Sequence, residues 1–312
     1  MFFYKSALQK DRDYPRGGKN LNKKAIVFGG SGFVGSHVAD CLTANGYQVT
    51  IFDLIKSQYI LPEQRMIIGD ILDQKAVLKA VSHQNVVYNF AGIADLDDAT
   101  TRPVDTVQLN IMGNINIMEA AIKAKTERFV YASSIYVYSQ KGGFYRCSKQ
   151  ASEVYVEEFQ RRFGLDYTIL RYGTLYGPRA DERNSVHRYL KDAFDSGRLS
   201  CDGTGEEIRE YINVRDAARL SVEILNDEYR NKHIIITGHH PMKFKDMLFM
   251  IREILGKKIS IEFSNEENQD HYNITPYSFS PKIGQKLVSH YYLDMGQGLL
   301  ECLHEIHEKD RK

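Results

Sequence analysis

The stretch 24–37, KAIVFGGSGFVGSH, decides the fold of this chain. A short apolar run of β-forming residues ends in glycine, and a segment with helical spacing follows it. In the pattern G-x-x-G-x-x-G the first glycine permits a tight turn, the second lets the backbone approach a pyrophosphate, and the third lets the helix pack against the strand. Because a helix N-terminus also offers N–H groups to phosphates, this context predicts a dinucleotide site over a ligand-free glycine turn. The residues expected at the phosphates are Gly29, Gly32, Phe33, Val34 and Gly35.

Apolar strands and helix-like stretches alternate after this turn. The predicted strands include YQVTIFDL, RMIIGDI, NVVYNFAG and RFVYASSI, and the stretches between them include DQKAVLKAVS and VQLNIMGNINIMEAAIKA. This alternation predicts an α/β fold with a Rossmann-like, doubly wound parallel sheet and helices on both faces. After about residue 175 the alternation becomes irregular, which indicates a smaller, irregular C-terminal substrate-binding portion. The predicted divisions are an N-terminal extension (1–23), a dinucleotide-binding Rossmann domain (24–172, with later strands around 211–238 returning to it) and the substrate portion (173–312).

Composition excludes several classes of function. The 312 residues are 43% hydrophobic and 26% charged, a globular balance, and the net charge of +1 gives no field for nucleic acid or an anionic membrane. The four cysteines are scattered without a C-x-x-C pair, so neither a zinc site nor a disulfide framework is expected. No run approaches the ~18 apolar residues of a membrane span, and the first residues lack the apolar core of a signal peptide. We therefore expect a soluble, cytoplasmic protein without a metal site.

Two aspartates that end predicted strands are candidate nucleotide ligands. Asp53 lies about twenty residues after the glycines, where a carboxylate accepts hydrogen bonds from the adenosine ribose and repels a 2′-phosphate. This position favours NAD over NADP as the cofactor, and the alternative for Asp53 is a cap or turn residue. Asp70 ends the third strand and could meet the adenine, although a turn role is nearly as well supported by spacing alone.

A candidate catalytic set lies near the next strand end. Ser133 and Ser134 end the strand RFVYASSI, at the carboxyl edge where open parallel sheets bind ligands. Tyr145 and Lys149 follow, four residues apart and hence on one face of a helix. We expect the Lys149 ammonium to lower the pKa of the Tyr145 phenol from about 10 towards neutrality. Tyr145 could then act as general base, with Ser134 bonding the same substrate oxygen, in a hydride transfer from an alcohol.

With these motifs in order, the chain resembles an extended short-chain dehydrogenase/reductase of the nucleotide-sugar epimerase/dehydratase family. The resemblance runs from about residue 24 to nearly the C-terminus and rests on GGSGFVG, Asp53, GDI, NFAG, SS…VY, Tyr-x-x-x-Lys, LYGPR and GTGEEIREYINVRDAA. It implies a Ser134–Tyr145–Lys149 triad, NAD as cofactor and a nucleoside-diphosphate sugar as substrate. It also implies a homodimer through helices around 105–124 and 146–163, for which the alternative is ordinary packing on the sheet. Further cofactor contacts are implied for Asp70, Ile71, Ala91 and Lys149.

The chain departs from the family pattern at positions that bear on the reaction. The dehydratases of the family carry an Asp-Glu pair after the catalytic hydroxyl residue, and its sugar decarboxylases keep the glutamate, whereas this chain has Ile135 and Tyr136. Thr174 replaces an asparagine that contacts the substrate in the family. The resemblance gives Arg209 the role of binding the substrate diphosphate, with Arg179 a weaker candidate for the same anion. It also places Tyr277 near the nucleotide, for which a structural role is the alternative.

These observations predict an NAD-dependent enzyme that oxidises or reduces C4 of a nucleoside-diphosphate sugar, as a 4-epimerase or a 4-dehydrogenase. One alternative is a nucleotide-sugar dehydratase or reductase with substitute acid groups. Another is a non-catalytic NAD-binding regulatory protein, against which the intact Ser134, Tyr145 and Lys149 set argues. Neither the nucleotide base nor the sugar follows from the sequence, because pocket loops make that choice.

Overall fold

A computed structural model describes the chain over residues 23–201, 203–256, 259–264, 273–276 and 284–309. The strands in these ranges are β1 (Lys24–Phe28), β2 (Gln48–Asp53), β3 (Arg65–Ile68), β4 (Val86–Asn89), β5 (Arg128–Ser134), β6 (Tyr167–Tyr172), β7 (Thr174–Tyr176), β8 (Arg198–Cys201), β9 (Ile208–Arg209), β10 (Tyr211–Asn213), β11 (Lys232–Ile236), β12 (Met242–Lys243), β13 (Ser260–Phe263) and β14 (Gln285–Leu287). Eight of them form one sheet in the order β14-β11-β6-β5-β4-β1-β2-β3. Every neighbouring pair in it is parallel. The predicted doubly wound parallel sheet is confirmed.

Helices cover both faces of this sheet. Their bounds are α1 (Phe33–Ala44), α2 (Gln74–Val81), α3 (Leu96–Thr101), α4 (Pro103–Val107), α5 (Asn114–Lys123), α6 (Gly143–Phe163), α7 (Ser185–Ser196), α8 (Val214–Glu223), α9 (Phe244–Leu255) and α10 (Met295–Lys309). A π-helical segment (Gln108–Gly113) joins α4 to α5, and short 3₁₀ turns lie at Ile135–Tyr138 and Asp227–Tyr229. None of these helices combines the length and the apolar content that a bilayer span requires.

The alternation of side chains along β1 explains why the sheet is apolar on both faces. Ala25 and Val27 belong to the core that α1 and α8 cover, whereas Ile26 and Phe28 belong to the opposite core under α2, α5 and α6. All four side chains are fully buried, as is expected for a central parallel strand between two helical layers. This two-sided burial accounts for the continuous apolar run of the sequence.

The chain after β6 is built differently. The short strands pair two by two, β7 with β10, β8 with β13 and β9 with β12, and the helices α7, α9 and α10 enclose a third core around Leu190, Leu248 and Leu299. Two later strands return to the main sheet, β11 beside β6 and β14 beside β11. Sequence periodicity indicated the first of these strands but not β14, which is three residues long. The proposed division of the chain at residues 172 and 173 rests on sequence alone.

The predicted helix over 107–124 is interrupted. Its first part is π-helical, and there Asn110 is turned into the protein. The Asn110 side chain accepts from the Ile93 N–H at 2.7 Å and donates to the Ile93 carbonyl at 2.9 Å. The backbone carbonyl of Asn110 accepts from the Ser152 hydroxyl at 2.8 Å. These bonds tie the segment to the loop after β4 and to α6.

A seam joins α1 to the segment that follows β7. The His37 ring contacts the Pro178 carbonyl through Nε2 at 3.0 Å, and burial, with the nearby Arg179 charge second, lowers the pKa of His37 to about 3. Arg179 adopts a left-handed backbone with φ of 67° and pairs with Asp40 of α1 at 2.6 Å. Its N–H donates to Glu305 of α10 at 2.8 Å. The seam therefore holds a neutral histidine and an ion pair side by side.

Candidate active site

The glycine turn between β1 and α1 leaves no room for side chains. Gly29 has φ of 74°, and a Cβ there would lie 2.7 Å from the Ala91 backbone nitrogen. A Cβ on Gly35 would lie 2.3 Å from the Gly29 carbonyl oxygen, so the helix packs on the turn itself. Gly32 precedes the helix without a side-chain cap, which leaves the N–H groups of the first turn, including those of Phe33 and Val34, for a ligand. This exposed cradle fits a dinucleotide pyrophosphate.

Asp53 stands beside that cradle at the end of β2. Its carboxylate accepts from the Ser31 N–H at 2.9 Å, and the Ser31 hydroxyl in turn donates to the Ile55 carbonyl at 2.9 Å. The loop thus fixes a carboxylate next to the glycine turn, on a half-buried residue with oxygen lone pairs to spare. The position suits ribose recognition, which stays a prediction.

The other residues predicted at the cofactor lie on the same edge of the sheet. Asp70 accepts from the Leu72 N–H at 2.9 Å, which is the turn role weighed against adenine contact. Ile71 is buried, and its side chain fills the space that a Cβ on Gly113 would take. Ala91 follows β4 and abuts Gly29. Their contacts with the cofactor stay predictions.

Ser134, Tyr145 and Lys149 meet at the carboxyl end of β5. Ser134 is the last residue of that strand, and its hydroxyl lies near enough to the Tyr145 phenol to lower the pKa of the phenol. Tyr145 and Lys149 lie one turn apart on α6, as predicted, with the Lys149 Nζ 5.7 Å from the centre of the Tyr145 ring. Lys149 also donates to the Ala132 carbonyl at 2.7 Å. The structure therefore brings the three predicted catalytic residues together.

The proton affinities of this set differ from our expectation. Burial raises the pKa of Tyr145 to about 12, against a smaller lowering by the Ser134 hydrogen bond. Burial lowers the pKa of Lys149 to about 8, opposed by the Glu153 carboxylate. The prediction that Lys149 brings the Tyr145 pKa towards neutrality is wrong for the chain alone. Loss of hydration is the largest effect on the Tyr145 pKa, and Lys149, whose ammonium a backbone carbonyl engages, does not offset it.

The two residues at the family's acid positions have apolar surroundings. Ile135 is buried in a small cluster with Val137, while the Tyr136 ring packs edge-on against Tyr145 with ring centres 6.1 Å apart. Gly142, which has φ of 98°, leaves room for the Tyr136 ring, since a Cβ at position 142 would lie 2.6 Å from that ring. Neither position supplies a carboxylate to the site.

The predicted substrate residues lie in two places, Thr174 and Arg209 on short paired strands and Arg179 in the seam beside α1. Thr174 begins β7 and pairs with Tyr211, and Arg209 ends β9 with its guanidinium donating to the Ile208 carbonyl at 3.1 Å. Arg179 instead belongs to the seam described above, where it also stacks over the Tyr59 ring at 4.6 Å. Both arginines are engaged by contacts within the chain, so the anion role stays a prediction for each, with Arg209 the stronger candidate and Arg179 the weaker. Tyr277 lies outside the described residues.

Sequence reasoning missed two polar residues that shape the site. Asn110 donates to the Ser148 hydroxyl at 2.9 Å and so holds the catalytic helix from behind. Glu153, four residues after Lys149, is buried and pairs with Arg171. A polar residue inside an apolar stripe was the available signal for both, because a buried polar group requires partners.

Comparison with known proteins places these observations in a family. The model of the "NAD dependent epimerase/dehydratase family" matches residues 25–237. The chain is 27% identical to a putative UDP-glucose 4-epimerase of Methanocaldococcus jannaschii, over 80% of this chain and 88% of that protein. It is 28% identical to a UDP-N-acetyl-alpha-D-glucosaminuronate decarboxylase of Bacillus cytotoxicus, over 72% of this chain and 77% of that protein.

Solved structures agree on the fold. The UDP-glucose 4-epimerase of Thermotoga maritima with UDP-glucose superposes with a TM-score of 0.80 at 22% identity, covering 92% of this chain and 99% of that one. The UDP-glucuronic acid 4-epimerase of Bacillus cereus with UDP-glucuronic acid and NAD gives a TM-score of 0.80 at 23% identity, with the same coverages of 92% and 99%. Because the family model spans more than half of the chain, this protein belongs to the NAD-dependent epimerase/dehydratase family of extended short-chain dehydrogenases/reductases.

Proposed function

We propose that this protein uses NAD to oxidise and reduce C4 of a nucleoside-diphosphate sugar, as a 4-epimerase or a 4-dehydrogenase. The observation that carries the proposal is the meeting of Ser134, Tyr145 and Lys149 at the sheet edge that also holds the glycine turn. A hydroxyl, a phenol and an ammonium in one place can remove the proton of an alcohol, and the glycine cradle beside them can bind a dinucleotide.

The chemistry divides among these residues as follows. Tyr145, once deprotonated, takes the proton of the C4 hydroxyl while the C4–H bond breaks and its electron pair leaves as hydride. When bound, NAD supplies the acceptor for that hydride. Ser134, which lies beside the phenol, can donate to the same C4 oxygen, and the Lys149 ammonium lies 5.7 Å from the centre of the Tyr145 ring, as a cation near the proposed phenolate. If the keto sugar were reduced again on the opposite face of C4, Tyr145 would return its proton to the C4 oxygen and the product would be the epimer. If the keto sugar were released instead, the protein would be a dehydrogenase.

Water loss is not part of the proposed reaction. The names of the relatives leave the question open, since they include 4-epimerases, a decarboxylase and dTDP-glucose 4,6-dehydratases. Elimination needs an acid and a base beside the Tyr145 phenol, and the residues there are Ile135 and Tyr136. Because neither of these two side chains is a carboxylic acid, the site supports oxidation at C4 without elimination.

The substrate class rests on Arg209 and Thr174. Arginine binds a diphosphate through its planar fork of donors, and a threonine hydroxyl can offer one hydrogen bond to the sugar. The structures of relatives named above contain UDP-sugars, which fits a substrate of the same class.

A homodimer is part of the proposal because one face of the molecule is apolar and exposed. Val104 of α4 and Val154 of α6 expose 67% and 64% of their surface, and Val107, Met112 and Tyr155 are exposed nearby in sequence. Since α4 packs against α6, these side chains belong to neighbouring elements, and a second copy would cover them. Light scattering after size exclusion should give twice the chain mass, and a monomer at micromolar concentration would contradict this.

The decisive experiment offers the purified protein a panel of nucleotide sugars with NAD. Absorbance at 340 nm reports net oxidation, and NMR of the products distinguishes a C4 epimer from a keto sugar. Mass spectrometry of the same products tests for water loss. A product lighter by one water would overturn the assignment in favour of a dehydratase, and absence of turnover with every sugar tested would contradict the proposed activity.

A further inference from the structure

Lys149 occupies surroundings that oppose its charge. Its side chain is 7% exposed, and its ammonium has one carbonyl partner, Ala132. The ammonium lies 5.0 Å from the centre of the Tyr131 ring on β5 and 5.7 Å from that of Tyr145. A carbonyl and two aromatic rings stabilise a cation less than water does, so the charged form requires an anion nearby.

A buried carboxylate, that of Glu153, lies one helical turn after Lys149 on the same face of α6. Glu153 is 5% exposed, and its carboxylate is fixed by three hydrogen bonds. Oε1 accepts from the Ser133 hydroxyl at 2.6 Å and from the Arg171 Nε at 2.9 Å. Oε2 accepts from the Arg171 Nη2 at 2.7 Å. Ser133 directly precedes Ser134, so the same carboxylate anchors the end of the strand that carries the catalytic hydroxyl.

The remaining charged groups of this cluster come from β6, β11 and the next turn of α6. Arg171 of β6 donates to the Tyr138 hydroxyl at 2.6 Å and contacts the His233 Nδ1 of β11 at 2.8 Å. The His233 Nε2 contacts Glu157 at 2.9 Å, and burial lowers the pKa of His233, which favours its neutral form. Glu157 is half-exposed, whereas the Arg171 and Lys149 cations are buried with Glu153.

We propose that Glu153 is a positioning residue, which keeps Lys149 in its ammonium form and fixes the end of β5 beside it. The role in turnover rests on the proposed function, whereas the effect on the Lys149 charge does not. Burial brings the pKa of Lys149 to about 8 even with Glu153 present. Without the carboxylate the lysine would be mostly neutral near pH 7.5, and the proposed phenolate would lose its cationic neighbour.

The test measures the Lys149 pKa directly, without turnover. NMR of protein labelled with ¹³C at the lysine ε-carbon follows each amine through a pH titration, and Lys149→Met identifies the resonance. We expect Glu153→Gln to lower the Lys149 pKa by about one pH unit or more. The matched control is Glu157→Gln, which removes a carboxylate one turn further on and should leave the Lys149 pKa in place. An unchanged Lys149 pKa in Glu153→Gln would overturn the proposal.

Folding needs a safeguard, because Glu153→Gln leaves Arg171 buried without its anion. The double variant Glu153→Gln/Arg171→Gln removes both charges and replaces the ion pair with two amides. Because Glu153 raises the pKa of Lys149, the Lys149 pKa should still fall in the double variant, although by less than in the single variant. A double variant with the parent pKa would contradict the proposal as well.

Turnover separates this proposal from the proposed function. In an active enzyme, Glu153→Gln should move the alkaline limb of the kcat/KM profile to lower pH while the KM for the nucleotide sugar stays unchanged. Failure of the parent to turn over any sugar, with the pKa difference still present, would count against the function alone. An active parent whose pH profile and Lys149 pKa are the same in Glu153→Gln would count against Glu153 alone.

Discussion

The two ligand-facing regions of this molecule are specified in different ways. At the cofactor edge, backbone geometry fixes the shape, since Gly29 and Gly35 approach other backbone atoms too closely for any side chain. In the segment from β7 to β10, short strands carry Thr174 and Arg209, the two residues that we propose bind the substrate. A backbone-built site changes little when its surroundings change, whereas a site built from side chains can be altered one residue at a time. In the proposed function, the cofactor edge therefore sets the chemistry and the second region selects the substrate.

The largest expected effect is on the rate of hydride transfer, from a substitution at the cofactor edge that should leave NAD affinity nearly unchanged. Tyr145→Phe should slow hydride transfer by about 10²–10⁴-fold, because it deletes the proposed proton acceptor and keeps the ring. Calorimetry should find NAD affinity within a few-fold of the parent. Tyr136→Phe is the matched control, as its ring packs against Tyr145 and it should retain most of the rate. Turnover by Tyr145→Phe at the parent rate would exclude the assigned mechanism.

Acid should weaken the seam between the two regions. The folded-state pKa of His37, about 3, lies below its ordinary value of 6.5, so its contribution to stability is present above about pH 6.5 and is lost as the pH falls towards 3. Between pH 7 and pH 4 this amounts to about 3 kcal/mol of unfolding free energy. His37→Gln, which can keep a donor towards Pro178, should lose that much less over the same range. Urea unfolding at several pH values measures the difference, and equal pH slopes would contradict it.

Substitution of Arg209 should affect substrate binding, whereas substitution of Arg179 should affect stability. Arg209→Ala should weaken binding of a nucleotide sugar by about 10–100-fold, the usual cost of a charge-assisted hydrogen bond to phosphate, without changing NAD affinity. Arg179→Ala should instead lower the melting temperature, since it removes the ion pair with Asp40, and leave sugar affinity nearly unchanged. Calorimetry and thermal unfolding of both variants decide this, and the reverse outcome would move the diphosphate to the seam.

The smallest expected effect concerns the choice of cofactor. Asp53→Ala should narrow the preference for NAD over NADP by about tenfold, because one hydrogen-bonding carboxylate is lost and its repulsion of a 2′-phosphate disappears. Comparison of the two dissociation constants by calorimetry tests this. Equal or tighter binding of NADP by the parent would contradict the role given to Asp53.

How far sequence predicts this molecule follows the same division. The glycine spacing and the strand–helix alternation predicted the sheet, because local geometry determines both. Spacing on one helix likewise placed Tyr145 beside Lys149. Their proton affinities did not follow, since burial depends on elements distant in sequence. The contacts of Arg179 with Asp40 and Glu305 were equally invisible, because they join residues more than a hundred positions apart.

The π-helical segment Gln108–Gly113 makes the chain sensitive to deletion of a single residue at this place. A π turn holds one residue more than the α turn it replaces, so deletion of one codon there would restore a regular helix and rotate the preceding residues by about 100°. Asn110 would then turn away from Ile93 and from Ser152 of the catalytic helix. Deletion of a single residue there would therefore uncouple the helix that carries Tyr145 from its support while the shortened segment itself became a regular helix.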